Sequence, residues 1–301
     1  MTMPNFYIAG GARCGSTSVD AYCRAHPQIF MSSVKEPNYF SYGYGEVPYA
    51  GPGRDKFYNT STRDLASYQA LFRDADDAMA IGEASINYML HPAACAGIRA
   101  LTPDAKIIFI LRQPVERAWS SFQLARQSGL EPLSNFLDAW EDDARRRAAG
   151  HWSCIHRHKS LYGQHLKCWF DTFPSERIRV ILFDDLRADA AAVMRQLFTF
   201  LEVDPDFRPD TSVVHNRSGE IENPLLRTFW HRSSALRAAL VPLMPIHWRG
   251  RLFRYIASGT NARKPGTTLP PEIKTRLTAE LRGDILALEQ LIGRDLSCWY
   301  E

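Results

Sequence analysis

The strongest constraint on this chain lies near its start, in Phe6-Tyr7-Ile8-Ala9-Gly10-Gly11-Ala12-Arg13-Cys14-Gly15-Ser16-Thr17-Ser18-Val19. A short apolar run ends in glycines, a hydroxyl cluster follows, and Val19 to Ala25 is amphipathic. That order predicts strand, tight loop, helix. Glycine lets a backbone approach a ligand closely. Ser16, Thr17 and Ser18 place hydroxyls and free N–H groups at a helix N-terminus, where anions bind. The spacing Gly10-x-x-x-x-Gly15-Ser16-Thr17 nearly matches the nucleotide-phosphate loop, but Ser16 stands where that motif needs lysine. The cation is instead Arg13, inside the loop. The segment reads as a phosphate cradle that lacks the lysine of an ATP or GTP site. An ordinary strand-to-helix turn would carry similar glycines, so the loop alone does not decide.

A second loop has the same logic. Lys106-Ile107-Ile108-Phe109-Ile110-Leu111 is a continuous apolar run, as expected of a strand covered on both faces. It stops at Arg112-Gln113, and a helix begins at Pro114 or Val115, since proline suits the first helical turn. Arg112 at the strand end and Ser120 two turns into that helix are placed to grip one phosphate, for which arginine's fork is suited. The competing reading is that Arg112 and Arg117 only pair with Glu116 and its neighbours. Further strands are expected at Gln28 to Met31, Ala78 to Gly82 and Ile178 to Phe183. Helices are expected at Ser67 to Phe72, His91 to Leu101, Leu133 to Ala149, Leu161 to Phe173 and Ala188 to Leu201. A long final helix opens at Pro270-Pro271 and closes near Gly293. Residues 41–61, rich in Gly, Tyr and Pro, read as an irregular surface loop.

Strands alternating with helices imply an α/β fold: a P-loop-like central parallel sheet flanked by helices. One domain spans 1–301, its core sheet mainly in 1–205, with a helical cap and C-terminal helix in 206–301. The charged run Glu141-Asp142-Asp143 and Arg145-Arg146-Arg147 is simplest as a solvated face with i,i+4 pairs. A net charge of +3 does not suggest a general nucleic-acid binder. No stretch reaches the roughly 18 apolar residues of a membrane-spanning helix, and no basic-then-apolar leader precedes the first strand. The six cysteines (Cys14, Cys23, Cys95, Cys154, Cys168, Cys298) lack a framework spacing, so reduced thiols and a cytoplasmic location are expected.

The first loop, Lys35-Glu36-Pro37-Asn38-Tyr39-Phe40 and Arg112 through Ser120 together resemble the sulfotransferases that use 3′-phosphoadenosine 5′-phosphosulfate (PAPS), closest to the carbohydrate, heparan-sulfate-like type and its bacterial relatives. Glu83-Ala84-Ser85 with Tyr88 is similar to that family's Glu-x-Ser segment. Leu161-Tyr162 to Trp169, Phe183-Asp184-Asp185-Leu186, Phe200-Leu201 and the ending Asp295-Leu296-Ser297-Cys298-Trp299 follow in the family's order. The resemblance implies that Arg13, Cys14, Gly15, Ser16, Thr17 and Ser18 bind the 5′-phosphosulfate end, and that Arg112 and Ser120 bind the 3′-phosphate. It places Glu36 where the carbohydrate enzymes have their catalytic base. Arg13 stands where many animal members have lysine; a guanidinium is a poorer proton donor, so it is expected to stabilise charge only. Ala84 replaces a lysine common in the heparan type, so a heparan substrate is not carried over.

The chemistry of these residues agrees. Sulfuryl transfer needs a base for the acceptor proton and cations at the leaving oxygen. Glu36 is the candidate base, with Lys35 and Arg13 as cations, and no metal is required. A surface ion pair is the plainer reading of Lys35-Glu36. Arg217 and Ser218, in His215-Asn216-Arg217-Ser218-Gly219, and Arg263-Lys264 are two candidates for a late loop closing over PAPS. The product would be adenosine 3′,5′-bisphosphate, and the acceptor a sugar, lipid or small metabolite. The His151 to His158 segment fits no standard zinc spacing, and His165 reads as a polar helix-face residue. Between Asn223 and Pro271 there is no Asp or Glu, and within it the basic 224–255 segment interleaves arginines with aromatics, which suits an acceptor-facing surface or contact with an anionic membrane. Cap packing, and pairing with the acidic helix residues at 138–143, is the alternative. Two other functions remain open: an ATP-dependent small-molecule kinase, and a non-catalytic adenine-nucleotide-binding regulator.

Overall fold

Five short apolar runs become one parallel sheet in the computed structural model of the chain, which describes residues 2–42, 49–211 and 268–300. The strands are β1 (Phe6–Gly10), β2 (Ile29–Met31), β3 (Ala80–Ala84), β4 (Lys106–Leu111) and β5 (Ile178–Leu182), in spatial order β2-β3-β1-β4-β5. Phe6 pairs with Gly82 on one side and Lys106 on the other, so β1 is central. Gly82 has to be glycine there: a Cβ would lie 2.1 Å from the Phe6 ring. Residues Ile107 to Leu111 are fully buried, as a run covered on both faces must be.

Side chains alternate across the sheet and feed two cores. On one face Phe6, Ile8, Ile108 and Ile110 pack against Val19 and Cys23 of α1 (Ser16–Ala25) and Met194, Leu197 and Phe198 of α11 (Ala190–Leu201). On the other, Tyr7, Ile107, Phe109 and Leu111 meet a larger layer. It includes α5 (Pro92–Leu101), α6 (Pro114–Gln127), α9 (Tyr162–Thr172), α12 (Pro271–Glu280) and α13 (Arg282–Ile292). The helix after β1 thus lies on one face and the helix after β4 on the other. Neighbouring parallel strands whose helices diverge open a crevice at their carboxyl ends, the usual ligand position in such sheets.

The remaining helices are α2 (Tyr39–Tyr42), α3 (Arg54–Thr60), α4 (Leu65–Ala70), α7 (Phe136–Glu141), α8 (Asp143–Ala148) and α10 (Phe183–Ala188). Three expectations are corrected. Residues 54–60 form α3 rather than irregular loop, packed by Tyr49 stacking on Phe57 with centroids 5.0 Å apart. The expected charged helix at 133–149 is two helices that meet at Asp142. Its charges are not all solvated: Asp143 and Arg146 are 4% and 3% exposed. Arg146 forks onto buried Glu131, which also receives His156 Nε2 at 3.0 Å. Asp143 accepts the backbone N–H groups of His156, Arg157 and His158, fixing that loop. The final helix breaks at Leu281 into α12 and α13.

Candidate active site

Both phosphate-type loops sit at the carboxyl edge of the sheet. Gly15, the N-cap of α1, has φ 96°, and no side chain caps that helix. A glycine N-cap offers no side chain of its own there, and the start of α1, with its positive dipole end, lies at that edge of the sheet. Arg13, itself at φ 66°, donates from Nε to Ser120 Oγ at 3.0 Å, joining the first loop to α6. Lys35, from the segment after β2, donates from Nζ to Thr17 Oγ1 at 2.8 Å. Arg13, Thr17, Ser120 and Lys35 thus form one polar wall around the start of α1, with Ser16 and Ser18 largely buried behind it. Cys14 is fully buried, and burial pushes its thiol up to about 11, against any ready oxidation at that position.

Arg112 is held by its own helix. Its Nη2 reaches Glu116 Oε2 at 2.9 Å, and its guanidinium lies 5.0 Å from the Phe183 ring centroid. Ser120, expected beside Arg112 on one phosphate, is bonded to Arg13 instead. Gln113 caps α6 through Glu116 N–H at 2.8 Å, while its amide nitrogen donates to Thr278 Oγ1 and the Trp299 carbonyl. The C-terminal segment thereby anchors the second loop. Tyr162 OH donates to the Arg112 carbonyl at 3.0 Å and lies 3.9 Å from Cys14 Sγ, bracing both loops from below.

Glu36 lies in the segment after β2, beside the end of β3. Its N–H donates to the Ala84 carbonyl at 2.9 Å, and Lys35 Nζ is 3.9 Å from its carboxylate. Both Glu36 and Asn38 take left-handed backbone, with φ 57° and 53°. The ion pair of the plainer reading exists, but Lys35 also reaches Thr17 at the start of α1, which ties the pair to the first loop.

The sulfotransferase family model matches residues 48–208, more than half of the chain. The chain belongs to the sulfotransferase family. A crystal structure of a sulfotransferase from Alicyclobacillus acidocaldarius superposes with a TM-score of 0.79 at 28% identity, covering 100% of both chains. The carbohydrate sulfotransferase 15 of Mus musculus is 25% identical over 248 residues, 67% of this chain. The bifunctional heparan sulfate N-deacetylase/N-sulfotransferase 4 of Mus musculus is 27% identical over 217 residues, 68% of this chain. The chain spans 44% of the length of the former and 23% of the latter.

One residue near the site, Lys159, escaped sequence reasoning, and another, Arg117, has partners other than the expected Glu116. Arg117 is fully buried on α6; its Nε donates to Ser160 Oγ at 2.9 Å and its Nη2 to the His156 carbonyl. Lys159 donates to the Trp152 carbonyl at 2.6 Å and lies within electrostatic reach of Glu36. Burial, with the like charge of Arg117, pulls its ammonium down to about 8. Lys159 adjoins the His151 to His158 segment, whose only visible signal was its histidines, whereas Arg117 was read as a partner of Glu116 and instead bonds Ser160 and His156. His165 is buried and donates to the His158 carbonyl, so it is not a polar-face residue. Among the described residues no group of His, Cys, Asp and Glu is arranged to hold a metal, and no helix is long and apolar enough to cross a membrane. Arg217, Ser218, Arg263, Lys264 and the basic 224–255 segment lie outside the described residues.

Proposed function

We propose that this sulfotransferase moves the sulfuryl group of PAPS to a hydroxyl or amine of a carbohydrate acceptor, with Glu36 as the general base. The observation that carries this reading is the wall around α1. The start of α1, capped by Gly15, carries Thr17 bonded to Lys35 and lies next to Arg13, and the Glu36 carboxylate is 3.9 Å from Lys35 Nζ. Those groups fit a phosphosulfate: N–H groups and hydroxyls for its oxygens, cations for its charge. Arg112 and Ser120, one strand over, are the residues for the 3′-phosphate. The Arg112 guanidinium already lies against Phe183, a geometry in which its fork remains planar and oriented.

Glu36 accepts the acceptor's proton as the acceptor oxygen or nitrogen bonds to sulfur. The bond from sulfur to the phosphate oxygen breaks, and adenosine 3′,5′-bisphosphate carries away the electron pair. Lys35 and Arg13 stabilise charge on that leaving oxygen. The carbohydrate assignment rests on relatives whose names specify carbohydrate and heparan sulfate. The test is transfer of label from [35S]PAPS to chondroitin and to desulfated heparin. Glu36→Gln is expected to lose about 10²-fold or more in kcat, the scale of a general base, and to keep its affinity for the bisphosphate. A Glu36→Gln enzyme of undiminished kcat sinks this reading.

A further inference from the structure

Behind the Glu36 turn lies a carboxylate that no substrate reaches. Glu83, on β3, is fully buried, as are Ser85, Tyr68 and Tyr88 around it. Three hydroxyls converge on it: Tyr68 OH at 3.0 Å and Tyr88 OH at 2.6 Å on Oε1, and Ser85 Oγ at 2.7 Å on Oε2. Ser85 Oγ in turn accepts the Asn38 N–H at 3.0 Å. Asn38 Nδ2 closes the path by donating to the Glu36 carbonyl at 2.7 Å. Burial this complete excludes Glu83 as an alternative base, because no acceptor proton comes within its reach.

We infer that Glu83 is a positioning residue for the Glu36 base, acting through Ser85 and Asn38 on the left-handed turn that presents Glu36. The inference rests on the reading of Glu36 as base. Left-handed backbone at two non-glycine residues costs free energy and persists only where surrounding bonds over-determine it. An ionised carboxylate is acceptor-only. It commits the Ser85 hydroxyl proton inward, which leaves a Ser85 lone pair facing the Asn38 N–H. An amide in its place turns Nε2 toward Ser85 and reverses that donor.

The groups facing Glu83 are Tyr7 of β1, Tyr68 of α4, Ser85 and Tyr88 after β3, and Glu36 across the turn. Burial is the largest influence on its carboxyl, and with the like charge of Glu36 it outweighs the three hydroxyl donors, raising it to about 7. The turn is therefore held best on the alkaline side of neutrality.

Glu83→Gln, Ser85→Ala and the double variant test this, with [35S]PAPS and chondroitin or desulfated heparin as acceptor. Each single change is expected to lower kcat about tenfold or more, as small displacements of a reacting group do, with KM for PAPS and bisphosphate affinity unchanged within twofold. The double variant is expected to be no worse than the poorer single, because both changes cut one path. Wild-type kcat should rise with an ionisation near neutral pH that Glu83→Gln lacks, which loosened packing alone would not remove. Hydrogen exchange supplies a readout without turnover: the Asn38 amide should exchange faster in both single variants while β4 amides do not. Wild-type kcat in Glu83→Gln, multiplied losses in the double variant, or an unaltered Asn38 amide overturns the inference. If Glu36→Gln is active, the base reading fails separately, and the exchange arm still reports on the turn.

Discussion

Arg13 of the first loop donates to Ser120 on α6 at 3.0 Å, so the two loops expected to bind opposite ends of one nucleotide are bonded to each other. The residues are 107 positions apart, and the bond crosses the crevice between β1 and β4. A ligand with phosphates at both ends would replace or bridge this contact, so the two loops are expected to respond as one unit.

Arg13→Ala and Ser120→Ala are each expected to weaken bisphosphate binding by about 1.5–3 kcal/mol, the worth of hydrogen bonds to charged groups. Because the pair share a contact, the double variant should depart from the sum of the singles. Isothermal titration calorimetry on the four proteins measures this; strict additivity would mean that the loops bind independently.

Gly15→Ala probes the backbone of the cradle. Alanine at φ 96° is strained, and its Cβ would lie 3.1 Å from Leu186 and 3.2 Å from Phe183. A cost of about 1–3 kcal/mol is expected from such strain, seen as a lower melting temperature. Bisphosphate affinity should fall as well, because the start of α1 must shift. A variant that melts and binds like the wild type would show that the turn tolerates a side chain.

Some of this was readable in the chain itself. Lys106 to Leu111 matched residue for residue, because a fully apolar run of that length bounded by Arg112-Gln113-Pro114 suits a strand covered on both faces. Both loops, and the residues Arg13, Thr17, Lys35, Glu36, Arg112 and Ser120, were visible as types in place. Their partners were not. No local spacing links Arg13 to Ser120, or Lys35 to Thr17, because the sheet order brings those segments together. Helix α3 was hidden by flanking Gly, Pro and Tyr that locally favour loop; the Tyr49 and Phe57 stack that holds it is tertiary. Arg146 read as surface because its partner Glu131 lies outside any helical repeat. Glu83 was visible as a motif residue, but nothing in the sequence showed that three hydroxyls enclose it.

Buried histidines make the fold sensitive to acid. Burial, aided by nearby positive groups, pulls His91 down to about 4 and His158 down to about 3, and it lowers His156 and His165 too. Between those values and the ordinary 6.5 the unfolded chain binds more protons than the native one. Their stabilisation is thus full above pH 6.5 and lost as pH falls through the folded values, up to about 3 kcal/mol for a group such as His91. Glu83 runs oppositely: raised from 4.5 to about 7, it favours the fold below 4.5 and loses that contribution as pH rises through 7. Four histidines outweigh it. Calorimetric melting temperatures should fall from pH 6.5 toward 4, less steeply in His91→Gln; a flat profile would contradict this account.

If the crevice between β1 and β4 is the site for PAPS and its product, calorimetric titration of adenosine 3′,5′-bisphosphate in the presence of a chelator registers it. Saturable binding is expected, with ATP at least tenfold weaker on the order of 1.4 kcal/mol, and with a marked loss in Arg112→Ala. Tighter binding of ATP, a strict need for magnesium, or unchanged affinity in Arg112→Ala would contradict it.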